Sequence, residues 1–183
     1  MPLDRIQKEA DRLNALIGQM LEVTRVEGDP GRRRAERVRL DELVESLVDD
    51  CSIEAHARGC SLTLNPPPAV AIEGDSELLR RAVENVVRNA IRYAPPKSCV
   101  EVAVEDSAGA ARVFVRDYGP GVPEESLPHL FDPFYRVEAD RNRQSGGVGL
   151  GLSIARRAVE LHHGTLRASN ASPGLLVEID LPS

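Results

Sequence analysis

Between Asp75 and Pro95 one helix carries two stripes. Leu79, Ala82, Val83, Val86, Val87 and Ala90 recur at three- and four-residue steps along one broad apolar face. Asn85, Asn89 and Arg92 stand at i, i+4 and i+7 on a second stripe, roughly 100° around the axis. Asp75 and Ser76 are good N-cap residues, Glu77 suits the positive N-terminus, and Pro95-Pro96 ends the helix. The period then falls to two. Val100, Val102 and Val104 alternate with polar neighbours, as do residues 112–117, which predicts paired strands around a turn at 107–110. Such a helix beside half-buried strands points to an α/β architecture with a mixed sheet and helices on one face.

The rest of the chain fits that frame. Residues 4–27 read as one amphipathic helix, with Ile6, Ala10, Leu13, Ile17, Met20, Leu21 and Thr24 at steps of three, four and seven. A surface helix packed on its own domain would look similar. The favoured reading is half of a helical hairpin or dimer seam, because Gly28-Asp29-Pro30-Gly31 stops it and an arginine-rich linker follows through Arg39. A second helix is predicted over 40–58, short strands around 62–64 and 70–72, a helix over 150–162, and strands near 165–168 and 175–181. The glycine-, proline- and arginine-bearing stretch 118–148 is long for a compact domain, and such loops are usually lids or binding loops. The expected domains are residues 1–28, a linker over 29–39, and a main domain over 40–183.

Bulk properties exclude several classes. Hydrophobic residues make up 42% of the 183, too many for a disordered chain. A net charge of -6 argues against a general nucleic-acid binder, although a polyphosphate needs only local positive charge. Cys51, Cys60 and Cys99 are an odd count without metal-ligand spacing, which predicts a reducing compartment. No apolar run approaches the ~18–20 residues of a membrane span. The chain as it stands reads as soluble, and its start, Met1-Pro2 leading at once into a helix, as a piece of a longer protein.

Three features carry chemistry. Asparagine is a weak helix former, so two on one stripe suit a polar pocket, where an amide oxygen can ligate Mg²⁺ and Arg92 can meet a phosphate; an exposed polar stripe is the plainer alternative. Asp117-Tyr118-Gly119-Pro120-Gly121 follows a strand, where a carboxylate can accept from an exocyclic amine while the glycines bring backbone close to a flat ring. An ordinary strand-to-loop turn would look similar. Gly146-Gly147-Val148-Gly149-Leu150-Gly151-Leu152 runs into a helix N-terminus, an anion-binding arrangement, with Arg136, Arg141 and Arg143 just before it. It is neither a P-loop nor a dinucleotide fingerprint.

In this order and at these spacings, the features resemble the ATP-binding domain of sensor histidine kinases, within the gyrase, chaperone, histidine-kinase and mismatch-repair ATPase superfamily. Glu84-Asn85-Val86-Val87-Arg88-Asn89-Ala90-Ile91-Arg92-Tyr93 looks like the N box, and residues 117–121 like the first glycine box. Phe131-Asp132-Pro133-Phe134-Tyr135-Arg136 looks like the F box, and residues 147–152 like the second glycine box. The resemblance covers about residues 36–183. It implies a two-layer sandwich of about five strands and three helices, preceded by the second helix of a dimerization and phosphoacceptor hairpin.

The resemblance also implies roles. Asn89 would ligate Mg²⁺ with Asn85 nearby, Arg92 and Tyr93 would touch phosphate and ribose, and Asp117 would hold the adenine amine. Gly119 and Gly121 would let the base lie against backbone, Arg136 would reach the γ-phosphate, Val122 and Tyr135 would also contact the nucleotide, and Gly147, Val148, Gly149, Leu150, Gly151 and Leu152 would do so from the second glycine box. Residues 137–146 would be the ATP lid.

The superfamily's hydrolases carry a water-activating glutamate four residues before the metal-binding asparagine. Here that residue is Asn85, which cannot act as a general base, and Glu84 is turned about 100° away. The expected activity is therefore transfer of the ATP γ-phosphoryl group to a histidine, and onward signalling to a response regulator. His56, His129, His162 and His163 do not fit the acceptor pattern, so this chain is not expected to phosphorylate itself. The intact protein is expected to be a homodimer anchored in the bacterial inner membrane, with this part on the cytoplasmic side and no nucleic-acid partner. A superfamily ATPase, a serine kinase, or a non-catalytic nucleotide-binding interaction module are the rival readings.

Overall fold

The computed structural model describes residues 35–107, 109–137 and 148–182. The helix expected over 4–27, residues 29–34 of the expected linker, and all of the expected lid except Val137 lie outside the described residues.

Five strands form the main sheet: β2 (Ser61–Leu64), β4 (Cys99–Ser107), β5 (Ala110–Arg116), β6 (Thr165–Asn170) and β7 (Leu175–Pro182), in the order β2-β4-β5-β7-β6. β2 runs parallel to β4 and every other pair is antiparallel, so the sheet is mixed as expected. Val100, Val102 and Val104, Ala111, Val113 and Val115, and Val177, Ile179 and Leu181 are all buried on one face. Their alternate neighbours, including Glu101, Arg112 and Asp180, lie on the other face, where Arg112 pairs with Asp180 at 2.7 Å.

Three α-helices cover the apolar face: α1 (Leu40–Ala57), α2 (Ser76–Tyr93) and α3 (Gly151–Leu161). α2 is the central one. Leu79, Val83, Val86 and Val87 are each no more than 1% exposed, and burying such a side chain contributes about 1.5–3 kcal/mol. That outweighs the weak helix propensity of Asn85 and Asn89, under about 0.7 kcal/mol each. The Asp75 side chain accepts from the backbone N–H groups of Glu77 and Leu78, both at 3.1 Å, and so caps the helix as its sequence predicts.

Residues 36–39 correct the expected linker. They form a strand, β1 (Glu36–Arg39), antiparallel to β3 (Ala71–Gly74), in a small second sheet. Its inward residue, Val38, is a lone apolar side chain among arginines and glutamate, too short a pattern to read as a strand, and its partner lies more than thirty residues away. Arg39 Nε donates to the buried Asp41 at 3.0 Å and holds that carboxyl below the usual range.

α2 and α3 pack side by side, and His162 ties their ends. Its Nε2 accepts from the Asp75 backbone N–H at 2.9 Å, and its Nδ1 lies 2.7 Å from the Ala158 carbonyl. These two partners place the ring proton on Nδ1. The ring leaves no room for a side chain at Gly74, where an added Cβ would stand 2.6 Å from His162 Cδ2. His162→Ala should cost about 1–3 kcal/mol in urea denaturation, because the Asp75 N–H loses its acceptor. Ile53→Ser, at a position 80% exposed, should change stability by less than about 0.5 kcal/mol. Equal effects of the two substitutions would refute the tie.

Candidate functional site

The polar stripe of α2, to the side of its buried face, forms one wall of a cavity of about 430 Å³. Asn85, Asn89, Arg92 and Tyr93 line it from α2. Asp117, Gly121 and Val122 line it from the segment after β5, Tyr135 and Arg136 from the loop before the undescribed stretch, and Val148, Gly149, Gly151 and Leu152 from the start of α3. Residues from four separate stretches of chain thus converge.

Asp117 is only 3% exposed, a charge-bearing group on an apolar floor. Its Oδ1 accepts from the Gly119 N–H at 2.8 Å and, more weakly, from the Leu175 N–H at 3.4 Å. Among the described residues no protein donor is recorded at Oδ2, so an acceptor remains for something in the cavity. Burial pushes the carboxyl pKa up, and the Gly119 and Leu175 N–H groups and Arg116 offset only part of that. Gly119 is needed for close approach: a Cβ there would stand 2.6 Å from the Tyr93 carbonyl oxygen. This residue does not line the cavity but shapes Asp117, which does.

The opposite end differs. α3 starts with no side-chain cap and no acidic residue in its first turn, unlike α2. The first N–H groups of a helix have no partner within it, and here they sit where Gly149, Gly151 and Leu152 meet the cavity. Gly149 adopts φ +83°, and a Cβ on it would stand 2.8 Å from the Tyr135 carbonyl oxygen. Asn85 Nδ2 donates to the Arg81 carbonyl at 2.9 Å, while its Oδ1 lies 3.0 Å from where a Cβ on Gly151 would be. The asparagine oxygen therefore points at the uncapped helix start. Arg58, Arg88, Arg92 and Arg136 bring positive charge to the walls.

Some residues fall elsewhere than expected. Leu150 is 3% exposed and packs with Ile154 instead of lining the cavity, because it precedes the first turn and turns inward. Gly147 lies outside the described residues. Glu54, Arg58, Arg88, Pro120, Leu130 and Leu175 line the cavity without having been singled out as site residues, and Val137, the first residue of the expected lid, lines it too. Glu54 pairs with Arg88 at 3.4 Å and with Arg58 at 3.5 Å, so it joins α1 to α2 along the rim. No sequence signal marked it as part of the site, since its Arg88 partner lies on another helix. Glu84 is absent from the lining and pairs with Arg88 at 3.1 Å.

A deep acceptor at one end, an uncapped helix with arginines at the other and glycines between define a site for a flat base joined to a polyphosphate, and the molecule is of the nucleotide-binding α/β sandwich class. Residues 74–183 match the model of the histidine kinase-, DNA gyrase B- and HSP90-like ATPase family. The chain belongs to that family, and within it is an ATP-binding catalytic domain of the sensor histidine kinase type. It is 38% identical over 98% of its length to the sensor histidine kinase CpxA of Escherichia coli K12, spanning 39% of that protein. It is 32% identical over 94% of its length to the phosphate regulon sensor protein PhoR of Pseudomonas aeruginosa, again 39% of that chain. Among solved structures, the mycobacterial sensor histidine kinase MprB superposes with a TM-score of 0.68 at 30% identity, covering 81% of this chain and 97% of that one. Full-length ShkA in complex with AMPPNP shares the fold, with a TM-score of 0.79 at 23% identity over 98% of this chain and 37% of that one. The chain spans about two-fifths of the length of those curated relatives.

Burial of Asp117 carries a stability cost. A carboxyl whose pKa is raised on folding binds its proton more tightly in the folded state, so its charged form destabilises the fold at neutral pH. That cost fades as pH falls through the raised value toward the ordinary carboxylate range. Asp117→Asn should therefore raise the thermal midpoint at pH 7 by about 2–4 °C, and the gain should shrink toward pH 4. A gain that grows on acidification would contradict the assignment.

Proposed function

We propose that this domain positions Mg·ATP for transfer of its γ-phosphoryl group to a histidine on a dimerization and phosphoacceptor hairpin of the same protein, for delivery to a response regulator. The observation that supports it most is that Asn85, not a carboxylate, faces the cavity one turn before Asn89, while Glu84 is held outside it by Arg88. With no carboxylate at that position to deprotonate water, and with Glu54 at the rim paired to Arg58 and Arg88, the site keeps ATP for another acceptor. In the transfer the γ-phosphorus breaks its bond to the bridging oxygen and forms one to an imidazole nitrogen, and ADP leaves.

The chain's own residues divide the work. Asp117 accepts from the adenine amine through the oxygen that backbone donors leave over. The N-terminal N–H groups of α3, with Arg92 and Arg136, meet phosphate charge and orient the chain of phosphates. The donor set also fits Mg²⁺. Asn89 and Asn85 present neutral oxygen ligands, and no cluster of three His, Cys, Asp or Glu side chains suited to a metal exists among the described residues. Such a sparse set suits an ion that draws further ligands from phosphate and water. When bound, Mg²⁺ would neutralise phosphate charge.

The curated relatives, of which this chain spans about two-fifths, are sensor proteins, and on this reading the domain is the cytoplasmic part of an anchored, dimeric parent. No helix among the described residues is long and apolar enough to cross a membrane.

Calorimetric titration tests the reading. ATP should bind in a magnesium-dependent manner, Asp117→Asn should weaken binding at least about 30-fold, and Asn89→Ala should remove the magnesium dependence. Added hairpin carrying its histidine should acquire phosphohistidine from labelled ATP. ATP binding with steady hydrolysis would favour an ATPase. Binding with neither reaction would favour a nucleotide-sensing module.

A further inference from the structure

The base end of the cavity is held by an element outside every recognised box. β6 ends at Asn170, whose side chain meets the loop after Asp117. Its Oδ1 accepts from the Val122 N–H at 3.0 Å, and its Nδ2 donates to the Val122 carbonyl at 2.8 Å. The same Nδ2 donates to Glu124 Oε1 at 2.9 Å. The amide thus stands in for a missing strand partner along one residue of an otherwise irregular loop. Its orientation is determined, because reversing it would set an oxygen against two acceptors and a nitrogen against a donor.

The fit around this amide is close. Gly121 adopts φ +68°, and a Cβ there would stand 2.8 Å from Asn170 Oδ1. The turn that follows presses on Asp117 itself. A Cβ on Gly174 would lie 1.8 Å from the Asp117 carbonyl oxygen, and the Asp117 N–H donates to the Leu175 carbonyl at 3.0 Å. Arg116 Nη2 donates to the Ala171 carbonyl at 3.2 Å. Asp117, Gly121, Val122 and Leu175 all line the cavity, so this turn fixes the acceptor and the wall of the base site together.

We infer that Asn170 is a positioning residue for base recognition: by clamping Val122 it holds the base-site wall at the distance where a six-amino purine meets Asp117. This rests on the nucleotide-binding reading above. Val122 and Gly121 lie at the base end, and the N-terminus of α3 at the phosphate end makes no recorded contact with Asn170. Loss of the clamp should therefore act on recognition of the base, not of the phosphates.

The test compares ATP with inosine triphosphate, which carries the same phosphates and ribose but an oxygen where adenine has its amine. Each is titrated calorimetrically into the full chain, into Asn170→Ala and into Glu124→Ala. The parent should prefer ATP. Asn170→Ala should weaken ATP by about tenfold and inosine triphosphate far less, so that the preference collapses. Glu124→Ala removes one hydrogen bond that orients the amide, from an exposed side chain, and should lower the preference by about two- to threefold. It decides the matter if Asn170→Ala does not fold. Equal weakening of both nucleotides, or an unchanged preference in the variants, would overturn the positioning role while leaving the nucleotide reading intact. A parent that does not distinguish the two nucleotides would overturn the Asp117 assignment and this inference with it.

Discussion

A buried carboxylate at the end of β5 is the constraint on which the site depends. Asp117 sits almost wholly out of water, where an ionised group is costly unless its lone pairs are used. The Gly119 and Leu175 N–H groups meet part of that need, and among the described residues no other donor is recorded, which leaves the side of the carboxylate that lines the cavity open. To bring those N–H groups within reach the backbone must pass where no Cβ fits, at Gly119 and Gly174. The glycines are thus consequences of the carboxylate's burial. On the proposed reading, stability of the empty domain and affinity for its nucleotide are set against each other at this one residue.

The helices show a related division. α2 is capped by Asp75, which accepts from the Glu77 and Leu78 N–H groups, and is tied at its start by His162, so its first turn is held in place. α3 is left uncapped, and its unsatisfied donors are offered to the cavity. One helix supplies a fixed platform and the other an electropositive terminus. They meet at Asn85 and Gly151, where a larger residue than glycine would crowd the asparagine oxygen. Glu54 borders the same space from α1, paired with Arg58 just past that helix and with Arg88 on α2, so all three helices contribute to the site.

Much of this was legible from local pattern. The α2 stripes, its Asp75 cap, the valine alternation of β4 and the glycines ahead of α3 all report chemistry that a short segment must satisfy by itself. Strand β1 was not legible, because four residues with one buried valine carry no period and their partner is distant. The 3₁₀ helix over Glu124–His129 was likewise hidden within a loop that reads as irregular. Leu150 was placed in the site because it lies within the glycine box, but a single residue's side of a turn depends on packing against Ile154.

The sequence by itself determined the α/β layering, the two faces of α2 and the set of groups available for a base and a polyphosphate, since periodicity and residue chemistry are local properties. Only the tertiary structure decided which of those groups share a cavity, that Glu54 on α1 pairs with Arg88 on α2 at its rim, and that Asn170 clamps Val122. Contacts between residues some fifty positions apart depend on strand order and helix packing, which no short window of sequence contains.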